Sequence, residues 1–231
     1  DNVTAIAATV GLDYDFDAWR FQPVRPQRPG REEPVTFEET REDAPAEVGG
    51  NVTVASFNVL NYFTDLGEDE PGCDSFDDRA GNPIVTDFCD VRGAYSAESF
   101  ERQQAKIVSA INTLDASVVG LEEIENAAEF GQDRDASVEA LVTALNDAAG
   151  AETWAYAPSP AETPADEDVI RTAFLYQPAE VELVGDAVIR DSEAFSDARQ
   201  PLAQAFKPVG ADDAESFLAI VNHFKSKGSA P

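Results

Sequence analysis

The chain has 231 residues, of which 45 are acidic and 16 are basic, so its formal net charge is −29. With 43% hydrophobic and 9% aromatic residues it can bury a core, which excludes wholesale disorder. No apolar run approaches the roughly 18 residues that a transmembrane helix needs. The charge argues against non-specific binding to nucleic acids or anionic membranes, because such binding needs lysines and arginines to neutralise phosphates. An acidic, lysine-poor composition is typical of proteins that stay hydrated in high salt, with an ordinary acidic secreted protein as the alternative.

Residues 1–50 differ in composition from the rest of the chain. A short patterned piece over 10–20 precedes a connector rich in proline and arginine over 21–31, and residues 32–50 are acidic with little apolar periodicity. Proline-rich connectors are extended and exposed. We therefore predict that 1–50 are the end of a preceding module followed by a linker, and that a folded domain occupies 51–231.

The folded domain begins with elements of both kinds. Residues 52–58 predict a strand that ends in polar side chains, and a long aspartate-rich loop follows over 64–95. Residues 96–114 predict a helix, in which Ser96 is the N-cap and apolar residues recur on one face. A short buried strand over 118–121 then delivers an acidic segment at its carboxyl end.

The second half of the chain is dominated by strands. A second helix over 135–149 is followed by strand patterns, which lie at 154–156, 169–176, 181–189, 202–206 and 216–222. Strand and helix alternate first, and strands dominate later. This order predicts a mixed α/β, layered arrangement and not a doubly wound parallel sheet throughout.

The two cysteines, Cys73 and Cys89, lie within the loop over 64–95. A metal site would need further cysteine or histidine nearby, and the surrounding sequence has none. A disulfide here would close a loop of about 15 residues and contribute about 3 kcal/mol by restraining the unfolded chain. It would favour an oxidising, extracytoplasmic location, whereas two free thiols in a cytosolic loop are the alternative.

Two strand ends place side chains that are capable of chemistry. Glu123 follows the strand over 118–121, and a carboxylate there can hold a hard cation such as Mg²⁺, which takes one or two protein carboxylates together with phosphate oxygens. His223, the sole histidine, follows the last strand and can act as a base or donate to a phosphoryl oxygen. A solvated glutamate and a structural histidine are the alternatives, and spacing alone does not decide between them.

Five segments, in order, carry a resemblance to a known family. They are 54–63 (VASFNVLNYF), 100–107 (FERQQAKI), 120–126 (GLEEIEN), 198–206 (ARQPLAQAF) and 221–228 (VNHFKSKG). They resemble bacterial extracellular nucleases of the endonuclease/exonuclease/phosphatase superfamily, the group that includes pancreatic deoxyribonuclease. The resemblance covers residues 51–231, and residues 12–16 look like the edge of the module that precedes the nuclease in such proteins.

The resemblance implies a four-layer α/β/β/α sandwich with the active site at one edge of two packed sheets. It implies that Asn58 is a catalytic and substrate-binding residue that supports the phosphate and metal environment. Glu123 matches the family's metal-binding glutamate, whereas Glu122 falls at a position that is often apolar in relatives. For this reason we expect Glu123, and not Glu122, to bind the metal.

Further site residues follow from the same resemblance. Arg199 falls on the arginine that faces the substrate phosphate, and His223 matches the first catalytic histidine, which contacts the scissile phosphate. Asp168 lies at a commonly acidic position and is expected to orient a catalytic partner. Arg171 is expected to be a cation on the surface or on the phosphate side.

The implied activity is hydrolysis of phosphodiester bonds by a secreted, metal-dependent nuclease. Mg²⁺ or Mn²⁺ is the expected cofactor and DNA the expected substrate, with RNA as the alternative, and no obligate protein partner is expected. Lys225 and Lys227, together with Arg199, are expected to make the groove locally positive. The family's later Asp-x-Asn motif and its C-terminal Asp-His pair are not in this chain. We therefore expect the sandwich to be incomplete at the C-terminus and the chain to be inactive as a nuclease by itself.

Two other functions stay open at this point. Phosphatases and phosphodiesterases that act on lipid or inositol phosphates share the same sandwich, although the segments over 57–62 and 222–227 favour the nuclease branch. A non-catalytic acidic surface module is the second alternative, in which the aspartate-rich loop over 64–95 holds Ca²⁺ through carboxylate oxygens.

Overall fold

A computed structural model describes residues 2–6, 9–24, 35–40, 42, 44–46 and 48–226. The chain divides into two compact units, Asp1–Pro45 and Ala46–Pro231. No helix in the described ranges has both the length and the apolar content that crossing a bilayer requires.

The described part of the first unit is built of strands. They are β1 (Asn2–Ile6), β2 (Val10–Asp15), β3 (Ala18–Pro23) and β4 (Val35–Glu38). β1 pairs antiparallel with β4, and β2 pairs with β3 in a hairpin. β4 lies in the acidic stretch, where the sequence predicted no regular element. It was missed because a strand pattern of only four residues, 35–38, is too short to stand out. Most of the predicted connector, residues 25–31, lies outside the described residues, and so do residues 32–34 of the acidic stretch.

The second unit contains the remaining helices and strands. In chain order they are β5 (Val54–Tyr62), β6 (Asp74–Asp77), β7 (Pro83–Asp87), α1 (Ala97–Leu114), β8 (Val118–Glu125), α2 (Ala136–Ala149), β9 (Ala155–Tyr156), β10 (Ile170–Tyr176), β11 (Val181–Ile189), β12 (Leu202–Pro208) and β13 (Phe217–Val221). Short 3-10 turns lie at Gly67–Asp69, Ala127–Phe130, Glu193–Phe195 and Asp213–Glu215.

Two sheets of the second unit pack face to face. The first has the order β5-β8-β10-β9, in which β5 is parallel to β8 and the other pairs are antiparallel. The second is antiparallel, with the order β11-β12-β13. Side chains from both sheets form one buried cluster, which includes Val118, Phe174, Phe206 and Val221. The predicted α/β sandwich is therefore confirmed.

The two helices of the described chain cover the other face of the first sheet. α1 begins after Ser96, whose side chain accepts a hydrogen bond from the Ser99 amide at 3.4 Å, as an N-cap does. Ile107 and Ile111 of α1 and Leu141 of α2 lie in one buried cluster with residues of β8 and β10. Both predicted helices are confirmed, because apolar residues at helical spacing must bury one face.

Several predicted boundaries were wrong in a way that matters for the site. β5 runs on to Tyr62 and β8 to Glu125, so Asn58 lies inside its strand and not at its end, and Glu123 lies within β8 and not just after it. The predicted loop over 64–95 contains the antiparallel hairpin of β6 and β7. It also contains a disulfide between Cys73 and Cys89, which confirms the predicted pairing and excludes the two free thiols.

The described residues form three layers of the expected four. Helices cover the first sheet, whereas on the outer face of the second sheet Leu218 and Ile220 are 63% and 54% exposed. These two residues alternate along β13 with Phe217 and Val221, which pack towards the first sheet. The outer helical layer that the family resemblance implies is absent from the described chain.

Candidate active site

The centre of the candidate site is an irregularity shared by two neighbouring strands. Asn58 of β5 is paired with Glu122 of β8, but the next pair is Tyr62 with Ile124, so β5 has extra residues at this level. Leu60 and Asn61 of β5 have φ angles of 54° and 52°, and Glu123 of β8 has 65°. A side chain in this left-handed region costs about 1 to 3 kcal/mol, and such strain concentrates at functional sites.

The two sheets approach closely just below this irregularity. A Cβ on Gly120 of β8 would lie 3.2 Å from the Cβ of Val221, the last residue of β13. A larger residue than glycine would separate the strands. The close approach brings the segment after β13, which begins with Asn222 and His223, up to the irregular end of β8.

A cleft of about 420 Å³ lies at this edge of the sheets. The residues that line it are Asn61, Arg92, Glu123, Ile170, Asp197, Arg199, His223, Lys225 and Ser226. Three of the residues predicted for the site, Glu123, Arg199 and His223, thus meet in one place. Nε2 of His223 lies 3.4 Å from Oε1 of Glu123, and both side chains are mostly buried.

The histidine ring presents one nitrogen to the cleft. Nδ1 of His223 and Nε of Arg199 are both buried, and neither has a hydrogen-bond partner among the described residues. The backbone amide of Arg199 donates to the carbonyl of His223 at 3.3 Å, which ties the two segments together. Nε2 is therefore the atom of His223 that can reach a substrate.

Asp168 joins two arginines at the rim of the cleft. Its Oδ2 lies 2.6 Å from Nη2 of Arg199, and its Oδ1 lies 3.1 Å from Nη2 of Arg92. One carboxylate offsets one of the two positive charges. Asp168 thus contacts both Arg199 and Arg92, and the sequence did not point to Arg92.

Asn58 is not brought into the cleft. Its Oδ1 accepts a hydrogen bond from the backbone amide of Leu60 at 2.8 Å, and its side chain lines a neighbouring groove of about 680 Å³. Arg102 and Lys106 of α1 also line this groove, and no carboxylate is among its lining residues. Asn61, which the sequence analysis did not single out, lines both the groove and the cleft.

Glu122 and Glu123 point to different neighbours. Glu122 accepts a hydrogen bond from Oγ of Ser56 at 2.7 Å, on the side of β5. Glu123, whose backbone has the left-handed conformation, lines the cleft beside His223. The irregular pairing of β5 and β8 therefore places the side chains of two adjacent glutamates in different surroundings.

Ion pairs buried beside the cleft support its wall. Arg171 is 6% exposed and contacts Asp135 at 2.9 Å, and Arg134 is paired with Glu167. Burial lowers the pKa of Arg171 to about 10, against the opposing effect of Asp135. The expectation of an exposed or phosphate-side Arg171 was therefore wrong: β10 is covered on both sides, and Arg171 contributes to packing.

A buried carboxyl group fixes the end of β8. Glu125 is fully buried, and its Oε2 accepts hydrogen bonds from Thr64 N at 2.8 Å, from Thr64 Oγ1 at 2.9 Å and from Ser137 Oγ at 2.5 Å. Burial raises the pKa of Glu125, and the hydrogen bonds only partly oppose that effect. These contacts tie β8 to α2 and to the segment that follows β5, and so hold Glu123 in place.

The donors in the cleft fit a cation of the Mg²⁺ type. Nowhere in the described residues do three or more histidine, cysteine, aspartate or glutamate side chains converge as a metal-binding group. Mg²⁺ does not need such a group, because it binds through one or two carboxylates and keeps waters and substrate phosphates as its other ligands. Glu123 is the carboxylate in the cleft that is closest to His223, at 3.4 Å.

Asp78, one of the aspartates of the loop over 64–95, is used within the loop itself. Oδ1 of Asp78 accepts from the amides of Ala80 at 2.7 Å and Asn82 at 3.0 Å, which closes the turn of the β6–β7 hairpin. The side chain of Asn82 donates to Oδ2 at 2.9 Å, and these bonds lower the pKa of Asp78. Turn formation therefore accounts for part of the aspartate-rich composition that suggested a Ca²⁺ site.

Of the lysines expected near the site, Lys225 lines the cleft, and Lys227 lies outside the described residues. Arg92 and Asp197 line the cleft without having been predicted. Asp197 is close in sequence to Arg199, which was a usable signal. Arg92 offered none, because it lies in an irregular loop far from every other site residue in the sequence.

Comparison with protein-family models finds no match, and comparison with curated proteins finds none either. Among solved structures, the chain is similar to ANGEL2, a 2′,3′-cyclic phosphatase, at 16% identity and a TM-score of 0.33, over 52% of this chain and 31% of that chain. It is similar to ANGEL2 in complex with adenosine-2′,3′-vanadate at 15% identity and a TM-score of 0.39, over 75% of this chain and 41% of that chain. The chain thus spans less than half the length of these two structures.

Proposed function

We propose that the cleft hydrolyses phosphodiester bonds of DNA with the help of a divalent cation, Mg²⁺ or Mn²⁺. The observation that supports this most strongly is the meeting of Glu123, Arg199 and His223 in one cleft, although they come from three separate segments. A carboxylate for a cation, a guanidinium for a phosphate and an imidazole are the groups that such a reaction uses. Arg92 and Lys225 add positive charge there, within a chain of net charge −29.

The chemistry follows from where negative charge develops. Hydrolysis of a phosphodiester increases the negative charge on the non-bridging oxygens and on the leaving 3′ oxygen. Arg199, held by Asp168, binds a non-bridging oxygen, and a guanidinium does so through more than one N–H. Nε2 of His223 donates a hydrogen bond to a phosphoryl oxygen. A water attacks the phosphorus in line with the leaving 3′ oxygen: the new P–O bond replaces the bond to that oxygen, the proton of the water passes to bulk solvent, and the leaving oxygen takes a proton from solvent to become a hydroxyl.

Glu123 is the residue that would hold the cation. When bound, the cation acts as a Lewis acid on the phosphoryl group and stabilises the charge of the transition state. Oε1 of Glu123 lies 3.4 Å from Nε2 of His223, so the carboxylate and the imidazole face the same part of the cleft.

We further propose that the protein works outside the cytoplasm. The disulfide between Cys73 and Cys89 supports this, because such bonds persist in oxidising compartments and are rare in the cytosol.

A plasmid-nicking assay tests the proposed function. The complete gene product is incubated with supercoiled DNA in Mg²⁺, Mn²⁺ or EDTA over a salt series, beside His223→Ala and the control Phe76→Ala, which removes a 58% exposed ring from β6. We expect nicking with either metal and none in EDTA. We also expect a loss of about 100-fold or more in His223→Ala and no loss in the control.

Two results of the same assay would overturn the proposal. These are the absence of nicking in every metal and salt, or equal nicking by His223→Ala and the unaltered protein. A parallel panel of inositol and lipid phosphates identifies the alternative: hydrolysis of those compounds without nicking would assign the cleft to a phosphatase of the same architecture.

A further inference from the structure

Arg92 is a cleft residue that the mechanism above does not use. It lines the cleft beside Glu123, Arg199 and His223, and its side chain is 39% exposed. Its described ion pair joins Nη2 to Oδ1 of Asp168 at 3.1 Å. A guanidinium has five N–H donors, so this contact leaves others to bind a ligand.

Asp168 keeps Arg92 and Arg199 apart while holding both. Each arginine takes a different oxygen of the carboxylate, at 3.1 Å for Arg92 and 2.6 Å for Arg199. A single phosphate could contact both guanidiniums in this way only by replacing Asp168. The arrangement is therefore better suited to two anions side by side than to one.

The backbone around Arg92 is fixed before any ligand binds. Val91 is 3% exposed and packs with Phe63 and Ile170. The carbonyl of Gly93 accepts from the amide of Thr86 at 2.8 Å.

Two further features restrain the same loop. Gly93 has a φ of 80°, and a Cβ there would lie 2.2 Å from the carbonyl oxygen of Asn61. The Cys73–Cys89 disulfide closes the loop three positions before Arg92. A preorganised cation binds an anion without paying to order its own loop.

We propose that Arg92 and Arg199 form a two-armed phosphate site, in which Arg199 binds the phosphate to be cleaved and Arg92 binds the next phosphate along the strand. The inference rests on the proposed function and deepens it: the DNA strand makes a second phosphate contact, to Arg92, which an isolated phosphate ester cannot make. Asp168 is the positioning residue for both arms.

The first test measures binding and needs no catalysis. The affinity of the complete gene product for a fluorescein-labelled DNA oligonucleotide is measured by anisotropy in EDTA over a salt series. Each phosphate contact contributes about 0.7 to 0.9 to the slope of log K against log salt. We expect Arg92→Ala to reduce the slope by about that amount. Arg79→Ala removes the same charge from an exposed turn and should leave the slope unchanged.

The second test measures catalysis on two substrates. Bis(p-nitrophenyl) phosphate offers a single phosphodiester, so it can use Arg199 but not the second arm. We expect Arg92→Ala to raise KM for DNA about tenfold, the effect of losing about 1.4 kcal/mol of binding, and to raise KM for the small diester by a clearly smaller factor.

The inference is overturned if the oligonucleotide does not bind, if Arg92→Ala changes the slope no more than Arg79→Ala does, or if it impairs both substrates equally. Binding that depends on Arg92 together with cleavage of neither substrate would support the two-armed site and refute the proposed function.

Discussion

Nε2 of His223 lies 3.4 Å from Oε1 of Glu123, although Glu123 lies in β8 of one sheet and His223 follows β13 of the other. The distance depends on how closely β8 and β13 pack, and Gly120 permits that packing because it has no side chain to meet Val221. The candidate site is thus a product of sheet-on-sheet packing as well as of its own residues.

Gly93 is predicted to be indispensable to the loop that carries Arg92. In Gly93→Ala the new Cβ would meet the carbonyl oxygen of Asn61 at 2.2 Å, in addition to the strain of a positive φ. The matched control is Gly72→Ala, where φ is 93° and nothing lies within 4 Å of the new Cβ. We expect Gly72→Ala to lower the free energy of unfolding by about 1 kcal/mol and Gly93→Ala by at least about 3 kcal/mol. Urea denaturation of both variants measures this, and equal losses would contradict the close contact.

Arg171 is predicted to matter for stability. Its Nη2 contacts Asp135 Oδ1 at 2.9 Å and the carbonyl of Arg134 at 2.8 Å, and the side chain is buried. Arg171→Met would leave Asp135 without its cation in a largely buried position, which typically costs about 3 to 5 kcal/mol. The exposed Arg190 is the control, and Arg190→Met should change the free energy of unfolding by less than about 0.5 kcal/mol. If Arg171→Met lowered the free energy of unfolding no more than Arg190→Met does, that would contradict the burial of the Arg171–Asp135 pair.

Tyr62 is predicted to make the protein sensitive to alkali. Burial raises its pKa from 10.0 to about 12, and the hydrogen bond from Gln104 only partly opposes this. The folded state therefore holds the phenolic proton more tightly than the unfolded state does. The stability that this difference contributes is fully present below pH 10 and is lost as the pH rises towards 12. The loss is at most about 2.7 kcal/mol, from about 1.36 kcal/mol per pKa unit.

Replacement of the phenol tests that pH dependence. Tyr62→Phe should be less stable at neutral pH by about 1 kcal/mol, since Gln104 loses its partner. Its free energy of unfolding should nevertheless fall less steeply than that of the unaltered protein between pH 10 and 12. Parallel curves over that range would show that Tyr62 ionises as freely in the folded state as in the unfolded one.

The helices and most of the strands could be predicted to a large extent because their signals are local. Ile107 and Ile111 recur at helical spacing, and Ser96 caps the helix that contains them. Strand ends were harder to predict. β5 and β8 continue through the irregularity at Glu123, where Leu60, Asn61 and Glu123 have positive φ angles. Of these three residue types only asparagine is enriched in that region, so the sequence offered little sign of it.

Residues whose positions depend on distant partners could not be predicted from the local sequence. Arg171 looked like a surface cation, because the sequence does not show that Asp135 of another element is packed against it. Arg92 had no periodic context, and its place in the cleft depends on a disulfide and on the contact of Gly93 with Asn61. Glu123 and His223 were found through the motifs that carry them, whereas Asn58 was expected in the cleft and lies in the neighbouring groove.

The comparison of two adjacent glutamates tests the central claim most directly. Glu123→Gln and Glu122→Gln remove the same charge from consecutive positions, but only Glu123 lines the cleft, whereas Glu122 contacts Ser56. We predict that Glu123→Gln lowers the rate of metal-dependent DNA cleavage by the complete gene product about 100-fold or more. Glu122→Gln should cleave at the rate of the unaltered protein. Equal losses in the two variants, or a greater loss in Glu122→Gln, would contradict the assignment of the cleft.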